Sequence, residues 1–167
     1  MKALSIRNPW AWAITHGGKR VENREWQCPP TYRGPLLIHA SKWHSDAEIV
    51  DTMDSIRHLL PPSDGKPLTL RMFKEQLRGV IVARAELVAI TRNHRTGHGV
   101  DVLTRVCRWC GVGGAAVETS DDCPTPDPWA VPDQFGFILA DVVPLALPVP
   151  WKGDRGLFDV PEGAVLS

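Results

Sequence analysis

The stretch ALSIRNPWAWAITHGGKRVENREW, residues 3–26, places a strand pattern, a helix pattern and a second strand pattern directly after one another. Residues 2–7 alternate between two faces, as the side chains of a strand do. Asn8 and Pro9 have the residue types of a helix start, and Gly17 with Gly18 have those of a helix end. We therefore predict a strand, a short helix, a tight turn and a second strand over 20–26.

The tryptophans of this stretch belong to an unusual aromatic composition, since the chain has 7 Trp but only 1 Tyr and 4 Phe. Most large aromatic side chains pack in a core, although one or two of them can line a pocket and stack on a base. At helical spacing, Trp10, Ala13 and Ile14 share a face that we expect to be buried. Trp12 and His16 are expected to point elsewhere, so Trp10 or Trp12 is a candidate stacking platform.

The rest of the chain continues with strands that do not alternate regularly with helices. Ser45 and Glu48 form a capping box that predicts the start of a helix. We predict strands over 32–41, 79–92 and 134–143, helices over 46–60 and about 69–78, and a Pro-rich, irregular C-terminal segment with a short final strand. This order is typical of an α+β fold with a mainly antiparallel sheet, either open or closed into a small barrel.

Length and charge limit the function classes. The chain has 167 residues, which suits one domain spanning residues 1–167, and its formal net charge is zero. A protein that coats nucleic acid is normally basic, so any nucleic-acid contact is expected to be a local patch or a nucleotide-sized pocket. No apolar run reaches the ~20 residues of a membrane helix, and residues 1–10 lack a secretion signal. We expect a cytoplasmic protein without a membrane partner.

A dense run of charges follows the Gly-Gly turn. Glu22 and Arg24 lie on one face of the predicted strand, directly after Lys19. One interpretation is an ion network at the rim of the fold, which contributes little when it is exposed. The other is a pocket, in which Lys19 contacts a phosphate or, when desolvated, acts as a nucleophile or base. Glu22 would then accept hydrogen bonds from a base amino group or act as a general base.

Residues 93–128 form an irregular, Cys-containing insertion with one short helix expected over 100–107. Cys107, Cys110 and Cys123 are a plausible three-thiolate set, and His94, His98 or Cys28 are candidates for the fourth ligand. Such a set would hold a structural zinc ion in tetrahedral geometry. The alternative is reduced thiols packed in the core, because disulfides are rare in the cytosol. We expect no other cofactor.

The N-terminal half resembles a known family. ALSIRNPWAWAITHGGKRVENREW followed by YRGPLLIHASK is similar to the ASCH family of the PUA-like superfamily, whose hallmark is Gly-x-Lys-x-x-Glu-x-Arg. That hallmark falls here on Gly17, Lys19, Glu22 and Arg24, after a Pro-Trp helix start. The segments RGVIVARAELV, FGFILADV and KGDRGLFDV also look like strands of this family. The resemblance covers most of the chain apart from the insertion.

The resemblance implies a fold, a ligand class and a site. It implies a small β-barrel with two or three flanking helices and a cleft between the barrel and the first helix, and it implies binding of RNA, a modified nucleotide or a nucleoside. Some members are amidohydrolases acting on N4-acylated cytidines, with Thr at the position of Glu22, and others are nucleases. The expected nucleotide-binding residues are Arg7, Asn8, Trp10, Lys19, Glu22, Arg24, Ser41 and Lys42, and the candidate catalytic residues are Lys19 and Glu22.

Three functions therefore remain open at the level of sequence. A binding module for RNA or a modified nucleotide would bind its ligand in a salt-sensitive manner and without turnover. An amidohydrolase or ribonuclease would lose turnover, but not its fold, when Lys19 is replaced. A protein-interaction domain that has lost the pocket would respond to changes at Lys19 and Glu22 only through stability. The net charge favours a nucleotide-sized site but does not separate the binder from the enzyme.

Overall fold

A computed structural model describes residues 1–26, 30–42, 45–59, 69, 78–95, 97–109, 111, 113 and 127–164. Within these residues the strands are β1 (Lys2–Arg7), β2 (Val21–Arg24), β3 (Gly34–Ser41), β4 (Val80–Asn93), β5 (Gly99–Asp101), β6 (Phe135–Pro150) and β7 (Leu157–Asp159). The helices are α1 (Trp10–Thr15) and α2 (Asp46–Ile56), with short 3-10 turns at Arg57–Leu59 and Glu162–Ala164.

The fold is α+β, as predicted, with seven strands in a mostly antiparallel sheet. The strand order is β2-β6-β4-β3-β1-β7, and β5 pairs with β4 outside this path. Over the described ranges the sheet is not closed, so the PUA-like barrel stays a prediction.

Contacts along the chain define two compact units. The first comprises Met1–Lys19, Pro35–Ala85 and Asp141–Ser167, and the second comprises Arg20–Gly34 and Glu86–Ala140. In the first unit, β1 pairs in parallel with β3 and antiparallel with β7. Its core includes a cluster of buried apolar side chains on β1, on β3, at the start of β4 and just after β7, namely Ala3, Leu37, Ile81 and Val160. In the second unit, β2 pairs antiparallel with β6, and β5 pairs antiparallel with β4.

Asn8 and the Gly-Gly pair flank the first helix as predicted, but the helix is shorter than expected, because Pro9 and not Asn8 is the N-cap residue and the helix spans only Trp10–Thr15. Asn8 is buried, and its Oδ1 accepts a hydrogen bond from the backbone N–H of Trp12 at 3.3 Å. After the helix, Gly18 adopts a φ of +73°, which L side chains rarely adopt. The predicted burial of Trp10 was wrong, and Trp12, which was expected to point away from the buried face, is itself buried. Trp12 is 8% exposed, and Trp10 is only half-buried. The buried residues of the helix are four consecutive ones, Ala11, Trp12, Ala13 and Ile14.

Two further predictions need correction, and one lies outside the described residues. The helix expected over 100–107 is wrong: Asp101 ends β5, and its carboxylate accepts hydrogen bonds from the N–H groups of Leu103 and Thr104 in a turn. The Pro-rich residues 144–150 are not irregular, since β6 continues to Pro150. The helix expected over 69–78 falls almost entirely outside the described residues. The Ser45 cap is confirmed, as its Oγ accepts from the Glu48 N–H at 3.2 Å.

Candidate functional site

Lys19 does not lie at the open mouth of a cleft, where a phosphate-binding lysine would be expected. It is only 1% exposed, which makes it one of the largest fully buried side chains in the described chain. The turn after α1 holds it in place, because its backbone N–H donates to the carbonyl of Ala13 at 3.0 Å. Its ammonium nitrogen lies 5.4 Å from the centre of the Trp10 ring, within the range of a cation–π interaction.

Glu22 and Arg24 lie on β2 in the second unit, facing the first residues of β6. The two side chains form an ion pair, with Arg24 Nε at 3.4 Å from Glu22 Oε1. Glu22 is 7% exposed and Arg24 is half-buried. The same-face placement predicted from strand alternation is thus confirmed by a direct contact. This pair joins two of the three residues of the ion network that the first interpretation of the charged strand predicts.

Arg7 and Asn8 have local roles at the start of α1. Arg7 is exposed and forms an ion pair with Glu48 at the N-terminal turn of α2. Asn8 satisfies the N–H of Trp12, as described above, and faces a cavity of about 200 Å³ that also touches Ala11, Trp12, Val82 and Leu145. This cavity lies along the first helix, but it is smaller than the ~300–1,000 Å³ of typical ligand pockets.

A larger opening contains Ser41 and Lys42, the two remaining predicted residues. It is a cleft of about 670 Å³ at the end of β3. Four cations line this opening, which we call the cationic cleft: Lys42, Arg78, Lys152 and Arg155. The rest of its lining consists of one carboxylate, one tryptophan and small or polar residues, namely Asp154, Trp151, Ser5, His39, Ser41, Gly79 and Gly153. All four cations are exposed. The cleft therefore presents positive charge to solvent inside a concave, ligand-sized space.

Backbone hydrogen bonds fix the walls of the cationic cleft. The N–H of Gly79, just before β4, donates to the carbonyl of Ala40 near the end of β3 at 2.7 Å. The N–H of Trp151, just after β6, donates to the carbonyl of Gly79 at 3.0 Å. Three chain segments distant in sequence are thereby joined at one point. The 151–155 segment then carries Lys152, Asp154 and Arg155 to the cleft.

His39 forms part of the cleft wall and is only 2% exposed. Its Nδ1 lies 3.0 Å from Ser5 Oγ, and its Nε2 lies 3.0 Å from the carbonyl oxygen of Trp151. Burial lowers the pKa of His39 below its ordinary value, and the hydrogen bond to the Trp151 carbonyl only partly opposes this. The imidazole is therefore held neutral at neutral pH.

Sequence reasoning missed most of this cleft. His39, Arg78, Lys152 and Arg155 were not among the expected site residues, although WKGDRG, residues 151–156, has two cations beside a tryptophan and two glycines. That composition was a usable signal. The contact of this segment with the ends of two other strands could not be predicted, because no local pattern encodes a contact between residues so far apart in sequence.

Of the zinc ligands predicted from the sequence, the described residues include Cys107, His94 and His98. Cys107 is buried, 2% exposed, and its sulfur accepts a hydrogen bond from the Trp109 N–H at 3.4 Å. Cys28, Cys110 and Cys123 lie outside the described residues. Among those that are described, no group of three or more His, Cys, Asp or Glu side chains could hold a metal ion. A structural zinc site stays a prediction.

Neither helix in the described ranges has the length and apolar content that crossing a membrane requires.

The comparisons with known proteins agree with the motif at the N-terminus. A comparison with curated proteins finds no matching relative. Residues 4–106, which span β1 to the turn after β5, match the ASCH domain. The match includes the Lys19, Glu22 and Arg24 hallmark as well as Ser41 and Lys42, and the chain belongs to the ASCH domain family.

Proposed function

We propose that the protein binds RNA or a modified nucleotide, and that the cationic cleft of the first unit holds the phosphate-bearing part of the ligand. The observation that carries the proposal is the convergence of Lys42, Arg78, Lys152 and Arg155 on one concave space of about 670 Å³. A volume of this size is typical of a small-molecule site. Membership of the ASCH domain family supports a nucleic-acid ligand at the level of the family.

The side chains of the cleft suit the parts of a nucleotide. Arginine donates to phosphate oxygens in a bidentate fork, and lysine attracts them as a point charge. Trp151 is half-buried beside the cations, where its ring can stack on a base. Asp154 is exposed and can accept a hydrogen bond from a base amino group, as carboxylates do from cytosine.

The charge distribution favours a short ligand over a long one. The chain as a whole has a formal net charge of zero, so the positive potential is confined to local patches. A long RNA would meet both signs of charge along the surface, whereas one or two phosphates would meet chiefly cations in the cleft. We therefore expect nucleoside monophosphates and RNA ends to bind better than the corresponding nucleosides.

Calorimetric titration with nucleoside monophosphates, nucleosides and short RNAs tests this proposal. The Lys152→Ala and Arg155→Ala variants should each bind monophosphates about 3- to 30-fold more weakly, and each should reduce the slope of log affinity against log salt by roughly one. Arg57→Ala is the matched control, because Arg57 is an exposed cation of the same unit paired with Asp54 outside the cleft. Equal affinity for nucleosides and monophosphates, unaffected by the cleft variants, would contradict the proposal.

A second candidate function is the amidohydrolysis of N4-acylated cytidine nucleosides, and the burial of Lys19 is the observation that favours it. Lys19 is only 1% exposed. Its position after the Gly-Gly turn, over the Trp10 ring, keeps the amine away from solvent. An enclosed amine of this kind suits a nucleophile or base better than a contact for a solvated phosphate.

A further inference from the structure

The side chains of Ser5 and His39 form a hydrogen-bonded pair in the wall of the cationic cleft. They face each other across the parallel pairing of β1 and β3, in which Ser5 is directly opposite His39. Ser5 Oγ lies 3.0 Å from His39 Nδ1, and both residues line the cleft. In an activated nucleophile, a hydroxyl lies within hydrogen-bond reach of an imidazole, and a third group orients that imidazole.

The third group determines which imidazole nitrogen carries the proton. The carbonyl oxygen of Trp151, 3.0 Å from Nε2, can only accept a hydrogen bond. Nε2 must therefore be the donor, which leaves Nδ1 of the neutral ring as an acceptor. The Ser5 hydroxyl then donates to Nδ1, so its proton already points at the nitrogen that would remove it. The lowered pKa of His39 keeps this nitrogen unprotonated at neutral pH.

Gly153 keeps the pair in place from the other side. A Cβ atom built on Gly153 would stand 2.7 Å from His39 Nδ1 and 2.7 Å from Ser5 Oγ, closer than real Cβ atoms approach such neighbours. The backbone of the 151–155 segment therefore lies directly against both side chains. Only glycine at this position allows that approach without moving the pair.

We propose that Ser5 is a nucleophile, with His39 as its base, for the hydrolysis of carboxylic esters whose acyl part or alcohol carries a negative charge. The preference for an anionic substrate rests on the proposed function, because the same four cations would attract it. The pairing of Ser5 with His39 does not depend on that function. This site uses neither Lys19 nor Glu22.

The reaction divides into two balanced steps. Ser5 Oγ attacks the ester carbonyl carbon while its proton passes to His39 Nδ1, and the ester C–O bond breaks as the imidazolium returns that proton to the departing alcohol. Water then attacks the acyl-serine, His39 accepts the water proton, and Ser5 recovers a proton as the carboxylic acid leaves. The cations of the cleft favour the negative charge that develops on the carbonyl oxygen.

The first test is labelling of the wild-type protein with a fluorophosphonate probe, which forms an Oγ–phosphorus bond with loss of fluoride. Peptide mass spectrometry should place the adduct on Ser5 and not on Ser41, the other serine of the cleft. The wild-type protein should also hydrolyse p-nitrophenyl hemiglutarate, which carries a carboxylate, faster than the neutral p-nitrophenyl acetate. Absence of both the Ser5 adduct and ester hydrolysis would overturn the proposal.

Variants separate catalysis from a purely structural role of the pair. Ser5→Ala and His39→Gln should each lower the hydrolysis rate by at least about 100-fold, whereas Ser55→Ala, which removes an exposed serine of α2, should not. The hydrolysis rate of the wild-type protein should rise as the pH increases through the lowered pKa of His39. The other charged groups that line the same cleft are Lys42, Arg78, Lys152, Asp154 and Arg155. Unchanged hydrolysis in a folded Ser5→Ala protein would also overturn the assignment.

Nucleotide binding distinguishes this inference from the proposed function. A protein that binds monophosphates in the cleft but gives no Ser5 adduct and no hydrolysis would retain the proposed function and lose the nucleophile. A protein that hydrolyses esters without binding monophosphates would retain the nucleophile and lose the nucleotide ligand. Failure of both measurements would leave neither proposal standing.

Discussion

Gly153 lies against the imidazole of His39 so closely that a methyl group at position 153 would stand 2.7 Å from the ring Nδ1. This contact joins the segment after β6 to β3 near the end of that strand. The hydrogen bond from His39 Nε2 to the Trp151 carbonyl, 3.0 Å long, joins the same two places a second time. The position of the cationic 151–155 segment therefore depends on the buried His39 and on glycine, which has no side chain, at position 153.

The Gly153→Ala substitution should destabilise the protein because the added methyl group overlaps His39 and Ser5. Overpacking of this kind costs about 1–3 kcal/mol, which urea denaturation would measure. Gly163→Ala is the control, since a Cβ there has nothing within 4 Å. Its stability should change by no more than about 0.5 kcal/mol. Equal unfolding midpoints for the two variants would show that the 151–155 segment moves aside freely.

The Asn23→Ala substitution should destabilise the second unit. Asn23 Oδ1 accepts from the Val131 N–H at 2.9 Å, and its Nδ2 donates to the Trp129 carbonyl at 2.7 Å. Removing these partners should cost about 1–3 kcal/mol and increase hydrogen exchange at the Val131 amide. Gln134→Ala, which loses one exposed hydrogen bond to Glu25, is the control and should change stability little. Unaltered exchange at Val131 would contradict this role of Asn23.

Stability should depend on pH through His39. The folded state lowers the pKa of His39, so the unfolded chain binds a proton more readily. The stability due to neutral His39 is complete above the unfolded pKa of about 6.5, and it is lost progressively as the pH falls below that value towards the folded pKa. Urea denaturation between pH 4.5 and 8 should show this decline, and His39→Gln should flatten it. The control His58→Gln removes an exposed histidine and should leave the profile as in the wild type.

Replacement of Lys19 should abolish any deacylation of N4-acetylcytidine, because it removes the enclosed amine that would act as nucleophile or base. Under the second candidate function, the wild-type protein should release acetate and cytidine, as followed by chromatography, and the Lys19→Met protein should release neither. Lys2→Met is the matched control, since Lys2 is a lysine of the same unit paired with Asp159 at 2.9 Å. Absence of wild-type turnover at a protein concentration equal to that of the substrate would exclude this activity.

The local elements were accessible from sequence because short-range physics specifies them. The strand over Val80–Asn93 was predicted to within one residue at either end, since a run rich in β-branched residues favours extended backbone. The Ser45 cap was predicted because the hydroxyl and the N–H that it satisfies are three residues apart. The helix expected over 100–107 failed because the Asp101 carboxylate captures two N–H groups in a turn.

By itself the sequence determined the α+β class, the bounds of several strands, the N-terminal cap of the second helix and the family hallmark on Lys19, Glu22 and Arg24. These features depend on residues close in the chain, where spacing fixes which groups can meet. The tertiary structure decided that Lys19 is enclosed and that Ser41 and Lys42 share a cleft with Arg78, Lys152 and Arg155. It also decided the contact of Ser5 with His39 and Gly153, because pairing between distant strands, and not local pattern, brings those side chains together.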